Sequence, residues 1–258
     1  MTIFEIQKQA YSINKSNYLK SFTFPLCALI TTIILTAIPH IIVFAFNLFE
    51  YKIPEKYILY SNLIKLIFCA LITVLSFMFY SSAALGEKAY YSGKIFKRKN
   101  NFKRLFYWFN PHKSIKALSL KALIFTLKLS WTFILLLPFT VVTSLILAVA
   151  FSGGIELYLL LSLSSGALIL LITGLVFRFI IIQRYFLAEY IMTENPELRA
   201  SLCVKRSKNL LDGHLFKVVK FKLSFLPMFL SCVLILPLIF VYPHYKQCRS
   251  IIAKDIIV

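Results

Sequence analysis

The chain has 258 residues, of which 59% are hydrophobic and 15% charged, and its mean hydropathy is +0.79. Soluble proteins carry about 25% charged residues, so these figures exclude a disordered chain, a collagen-like chain and an ordinary soluble enzyme. Lys and Arg number 29 against 10 Asp and Glu, a net charge of +19. In so apolar a chain that excess points to cytoplasmic loops and anionic lipid headgroups, not to nucleic acid.

Residues 1–20 read as a short interfacial helix. Ile3, Ile6, Ala10 and Ile13 recur at helical spacing, and Glu5, Lys8 and Lys15 avoid that stripe. Five charge-free runs follow, each long enough for the about 20 residues that cross a ~30 Å hydrocarbon core. They place transmembrane spans near 21–49, 66–86, 129–155, 157–177 and 223–245. A charge at mid-bilayer costs about 2.5–3.5 kcal/mol, so five such runs are not an accident of composition. The first run is too long for a cleavable signal and reads as a retained anchor, with Pro39 kinking or ending its helix. The expected fold is therefore all-α: one integral membrane domain over 1–258, a polytopic helical protein with about five transmembrane helices plus interfacial amphipathic helices.

The loops set the orientation. The N-terminal segment, the segment 50–65 and the tail each carry three basic residues, segments 87–128 and 178–222 carry eleven and nine, and the turn between the third and fourth spans carries none. The positive-inside rule then places the N-terminus and both basic segments in the cytoplasm. A full fifth span would leave Lys246, Arg249 and Lys254 outside. A break at Pro237 would instead make a re-entrant hairpin; the full span is the expectation here.

Two further interfacial helices are marked by Asn-Pro starts, an N-cap followed by a first-turn proline. Asn110-Pro111 opens one that carries Lys113, Lys116 and Lys121. Asn195-Pro196 opens another, which Gly213 closes. Lys128-Leu129-Ser130-Trp131 and Lys222-Leu223-Ser224-Phe225 hint at a weak internal repeat.

Several groups are candidates for chemistry. Lys94, Lys97, Arg98, Lys99, Lys103, Arg104 and Trp108 lie in a basic aromatic segment suited to anionic lipid contact, although the positive-inside signal plus an aromatic belt explains the same residues. Arg178, Arg184 and Glu189 interrupt an apolar stretch and are candidate intramembrane polar residues; snorkelling at the end of the fourth span is the plainer reading. Ser162, Ser164, Ser165, Gly166 and Gly174 make the fourth span rich in small residues, as close helix packing requires. His244 and Cys248 stand at i, i+4, but a zinc site needs three or four protein ligands. The five cysteines form no Cys-x-x-Cys pair. No catalytic residue, metal or cofactor is expected, and the protein is read as not an enzyme.

The stretch from Tyr185 to Pro196, with Tyr190, Glu194, Asn195 and Pro196, resembles a signature of a widespread family of uncharacterised bacterial integral membrane proteins, known as a domain of unknown function. The likeness continues through Ser207, Gly213-His214, Leu223-Ser224-Phe225 and Tyr242-Pro243. The family is distantly similar to the membrane domain attached to some glycerophosphodiester phosphodiesterases. The resemblance implies a helical protein of the bacterial cytoplasmic membrane and supplies no reaction. The expected function is a non-enzymatic accessory or membrane-organising role. Its partners would be anionic phospholipid, another membrane protein or a second copy, without nucleic acid. A small transporter or permease subunit is the alternative.

Overall fold

A computed structural model describes residues 1–15, 58–95, 101–151, 157–231 and 238–257, with isolated positions between 22 and 41. The first predicted span, 21–49, therefore lies largely outside the described residues. Those described are helical throughout their regular structure, with no strand among them. Helix α1 (Ile3–Lys15) is followed by α2 (Ile58–Ile95), the short α3 (Asn101–Phe106) and a 3-10 turn, Tyr107–Phe109. Then come α4 (Pro111–Phe151) and α5 (Leu157–Ile182). A second 3-10 turn, Gln183–Tyr185, leads into α6 (Ala188–Glu194) and α7 (Ala200–Leu211). The chain continues as α8 (Leu215–Ser224), α9 (Leu226–Ser231) and α10 (Leu238–Ile257).

Three stretches, Asn62–Ile95, Pro111–Phe151 and Tyr158–Glu194, are long and apolar enough to cross a membrane. Their apolar surfaces are bare: Phe133 is 68% exposed and Leu161 61%. Apolar area on this scale is stable in lipid and costly in water. At 1.5 Å per residue, the 38 residues of α2 and the 41 of α4 make helices of roughly 57 and 62 Å, about twice a hydrocarbon core. The surplus length lies at one end of the molecule. There Leu85 of α2 and Leu120 of α4 join Leu187, Leu211, Phe221 and Ile252 in one buried cluster, with Ile6 and Ala10 of α1. The protein is thus a packed polar-end core carrying long apolar helices.

Several expectations change in this light. The N-terminal stripe exists, and a capping box starts its helix: Thr2 N–H donates to Glu5 Oε2 (2.8 Å) and Glu5 N–H to Thr2 Oγ1 (3.3 Å). Ile6, Ala10 and Asn14 are nevertheless fully buried, because α1 packs on α10, where Asn14 Nδ2 donates to Pro243 O at 3.4 Å. The stripe faces protein and not a bilayer. Asn110-Pro111 does open a helix, but that helix runs unbroken into the third span as α4. It is not a separate interfacial element. Asn195 closes α6 instead of opening α7, whose N-cap is Arg199. The turn at Pro196 separates the two helices. Gly213 follows the end of α7 with φ +91°, as expected of a helix stop.

The fifth span is also corrected. Tyr245 of α10 stacks on Phe221 at 5.8 Å between centroids and lies 4.9 Å from Phe229. Lys217 of α8 reaches Asp255 at 2.6 Å. The two ends of 223–245 therefore meet at the same end of the molecule. Crossing a bilayer core and returning takes about 40 helical residues, which this segment does not have. The described ends of 223–245 are therefore not the two ends of one straight helix, and residues 232–237 between them, with Pro237, lie outside the described residues.

Small residues pack differently from expectation. A Cβ on Gly166 meets nothing within 4 Å, whereas one on Gly174 falls 2.8 Å from Leu135 O. Ser162, Ser164 and Ser165 are exposed and bond carbonyls of their own helix. The close approach of α5 to α4 is made at Gly174. The two copies of the weak repeat differ too, since Lys128–Trp131 lies within α4 and Ser224 ends α8.

Candidate functional site

The polar-end core is held by buried ions. Helix α2 continues past its apolar run, so Glu87 and Lys88 are carried into the core instead of into a loop. Lys88 Nζ stands 2.5 Å from Glu189 Oε2 and donates to Ala84 O at 3.3 Å. Lys121 of α4 pairs with the other oxygen, Glu189 Oε1. The Lys88 and Glu189 side chains are 8% and 12% exposed. Next along α2, Glu87 Oε2 is 2.6 Å from Lys246 Nζ, and Glu87 Oε1 accepts from the Tyr242 hydroxyl. One dipeptide of α2 thus ties α4, α6 and α10 together. Each carboxylate oxygen already faces a cation or a phenol, so neither acid is presented as a general base.

More positive charge borders these pairs. Lys222 Nζ donates to Gln183 Oε1 and lies 5.8 Å from the Phe186 ring centre. Arg249 lies over the same ring at 5.1 Å and over Tyr245 at 5.6 Å. Burial, with Arg249 and Lys128 nearby, pushes the Lys222 ammonium down to about 7. The Asp255 carboxyl is also held below its usual range, first by the hydrogen bond from Lys217.

The predicted intramembrane residues separate. Arg178 Nε donates to Thr132 Oγ1 at 2.8 Å, joining α5 to α4. Arg184 is exposed, and its carbonyl accepts from Ser207 Oγ at 2.7 Å. Glu189 is the buried centre described above. Sequence reasoning counted Lys88, Lys121 and Lys246 as loop charge and missed their pairing.

The predicted lipid-contact residues also separate. Lys97, Arg98 and Lys99 lie outside the described residues. Lys94 is half-buried, and its Nζ reaches Asn14 Oδ1 at 3.4 Å. Lys103 is exposed and Arg104 half-buried. Trp108 is fully buried. Its carbonyl accepts from Ser114 Oγ at 2.7 Å, locking the 3-10 turn onto the first turn of α4. Arg104, Tyr107 and Trp108 line a cavity of about 250 Å³ together with Thr193, Glu194 and Pro196.

The signature residues mostly build this core. Tyr190 is buried in it, and Glu194 and Asn195 end α6. Pro196 O accepts from Lys116 Nζ at 3.1 Å. His214 is the exposed N-cap of α8, and Ser224 Oγ donates to Phe221 O at 2.7 Å at its other end. Pro243 sits buried against α1. His244 Nε2 and Cys248 Sγ do meet, at 3.8 Å; burial pushes the Cys248 thiol up to about 12.

The sequence matches the family described as "Protein of unknown function (DUF975)" over residues 1–253. The chain belongs to that family. The match runs from α1 through most of α10, so the likeness first visible in the C-terminal third extends over the whole core. No curated protein and no solved structure matches the sequence. These comparisons lend no support to the more distant likeness to phosphodiesterase membrane domains.

Proposed function

We propose that the protein is a non-enzymatic accessory protein of the bacterial cytoplasmic membrane that binds anionic phospholipid on the inner leaflet, with its N-terminus in the cytoplasm. The observation that carries this reading is the gathering of basic segments. The end of α2, the start of α4, the turn after α5, helices α7 and α8, and the tail in α10 all meet in one core at the foot of three bare apolar helices. Each Lys or Arg near an anionic leaflet contributes about 1 kcal/mol, and a one-sided arrangement adds those contributions on one face.

The transporter alternative rests on Arg178 and Glu189. Arg178 is tied to Thr132 and Glu189 is held between two lysines, which suits fixed struts better than residues that hand on a substrate. The occupied carboxylates Glu87 and Glu189 likewise favour a non-enzymatic role.

Extraction of the full chain in native lipid discs, with mass spectrometry of co-purifying lipids and proteins, tests the reading. Enrichment of anionic phospholipid over bulk membrane is the expected result. Bulk lipid composition would refute it, and a stoichiometric protein partner without lipid enrichment would redirect it to a protein-organising role.

A further inference from the structure

The cavity beside Trp108 combines features that the ion-paired core does not use. It lies between the α2 end, the α3 turn and the end of α6, and its volume is about 250 Å³, near eight water volumes at ~30 Å³ each. Arg104 lines its wall and carries a guanidinium, a group suited to phosphate oxygens. Trp108 forms another part of the wall. Its indole N–H is buried and has no hydrogen-bond partner among the described residues. A buried donor left unpaired is costly, and indole nitrogen can only donate, so the group that satisfies it must be an acceptor.

The surroundings add positive charge. Lys113 Nζ lies 3.3 Å from the Tyr107 ring centre, and Lys116 Nζ sits on Pro196 O at 3.1 Å. Among the described residues Glu194 is the one carboxylate in the wall. It disfavours a bare multivalent anion and suits a group carrying a hydroxyl or ammonium donor beyond its phosphate.

We propose that this cavity is a binding site for a phosphate-ester headgroup, with Arg104 pairing with the phosphate and the Trp108 indole N–H donating to one of its oxygens. Glu194 accepts from the donor beyond the phosphate. This deepens the lipid-binding reading and rests on it for the lipid source. The same chemistry would take a soluble phosphate ester.

Native mass spectrometry of the full chain in maltoside detergent separates the outcomes. Dihexanoyl phosphatidylglycerol and glycerol phosphate are the probes, titrated separately. The expected result is one saturable phosphatidylglycerol adduct, weakened about tenfold or more by Arg104→Gln and by Trp108→Phe, and unchanged by Lys208→Gln on α7. A glycerol phosphate adduct with the same dependence supports the site and assigns it to a soluble ligand. Should Trp108→Phe not fold, Arg104→Gln and the Trp108 emission of a Trp131→Phe chain decide the question, since ligand must shift that emission. No saturable adduct with either probe, or one indifferent to Arg104, overturns the proposal. Anionic enrichment in native discs would then leave the accessory reading standing, and its absence would remove both.

Discussion

The Tyr245 ring lies 5.2 Å from the Phe225 ring, centroid to centroid, although the C-terminal apolar run separates them in sequence. That contact closes a loop on one side of the molecule. Tyr245 also stacks on Phe221 with an interplanar angle of 2°. Tyr245→Ala removes three ring contacts at once and is expected to cost about 3 kcal/mol. Denaturation in detergent should show the loss, and α10 should become the first site of proteolysis.

Glu189 is the centre of a three-helix ion cluster. Glu189→Gln leaves the Lys88 and Lys121 ammonium groups facing each other in a buried site. Removing one partner of a buried pair costs about 3–5 kcal/mol. The triple change Glu189→Leu, Lys88→Met and Lys121→Met should be milder than the single change, because it removes the charges together. Thermal unfolding of the two variants side by side gives the comparison.

Gly174 and Gly166 make a matched pair on α5. A Cβ at 174 meets the backbone carbonyl of Leu135, and one at 166 meets nothing. Gly174→Ala must push α5 off α4 and is expected to destabilise by about 1–3 kcal/mol. Gly166→Ala should be neutral or stabilising by up to about 1 kcal/mol from helix propensity. Equal effects at the two positions would contradict the packing described.

Lys222 gives a pH signature. Its folded-state value is depressed to about 7, first by burial and then by Arg249 and Lys128, with Glu189 opposing. The unfolded chain binds this proton up to about pH 10.4. Between those values the unfolded state holds more protons, so the Lys222 contribution to stability rises with pH and is lost as pH falls through 7. Lys222→Met removes the liability. Its melting temperature relative to wild type should be highest near pH 6, and the advantage should shrink towards pH 10.

Much of the fold was legible in the sequence because lipid-facing helices announce themselves by apolar length. The second, third and fourth runs correspond to α2, α4 and α5. What periodicity and charge could not show is where those helices end. Glu87 ends the second apolar run and Lys128 bounds the third, yet the backbone stays helical through both, since a charged side chain breaks a hydropathy window and not a hydrogen-bond ladder. The buried pairing was therefore read as loop charge. The stripe of α7 was hidden in a similar way. Its buried face includes Ser207 beside Cys203, Val204 and Leu211, and that serine donates to the distant Arg184 carbonyl. The hairpin end of the C-terminal run depended on Tyr245 meeting Phe221 and Phe225, a relationship between segments that no local pattern encodes.

The proposed orientation puts every described basic segment, the C-terminal tail included, on the cytoplasmic face. Fusions at the C-terminus test it most directly. A fluorescent protein that matures only in the cytoplasm and a phosphatase active only outside it would each be attached after Val258 of the full chain. The account predicts a fluorescent first fusion and an inactive second one. An active phosphatase with a dark fluorescent fusion would place the tail outside and contradict the one-sided core.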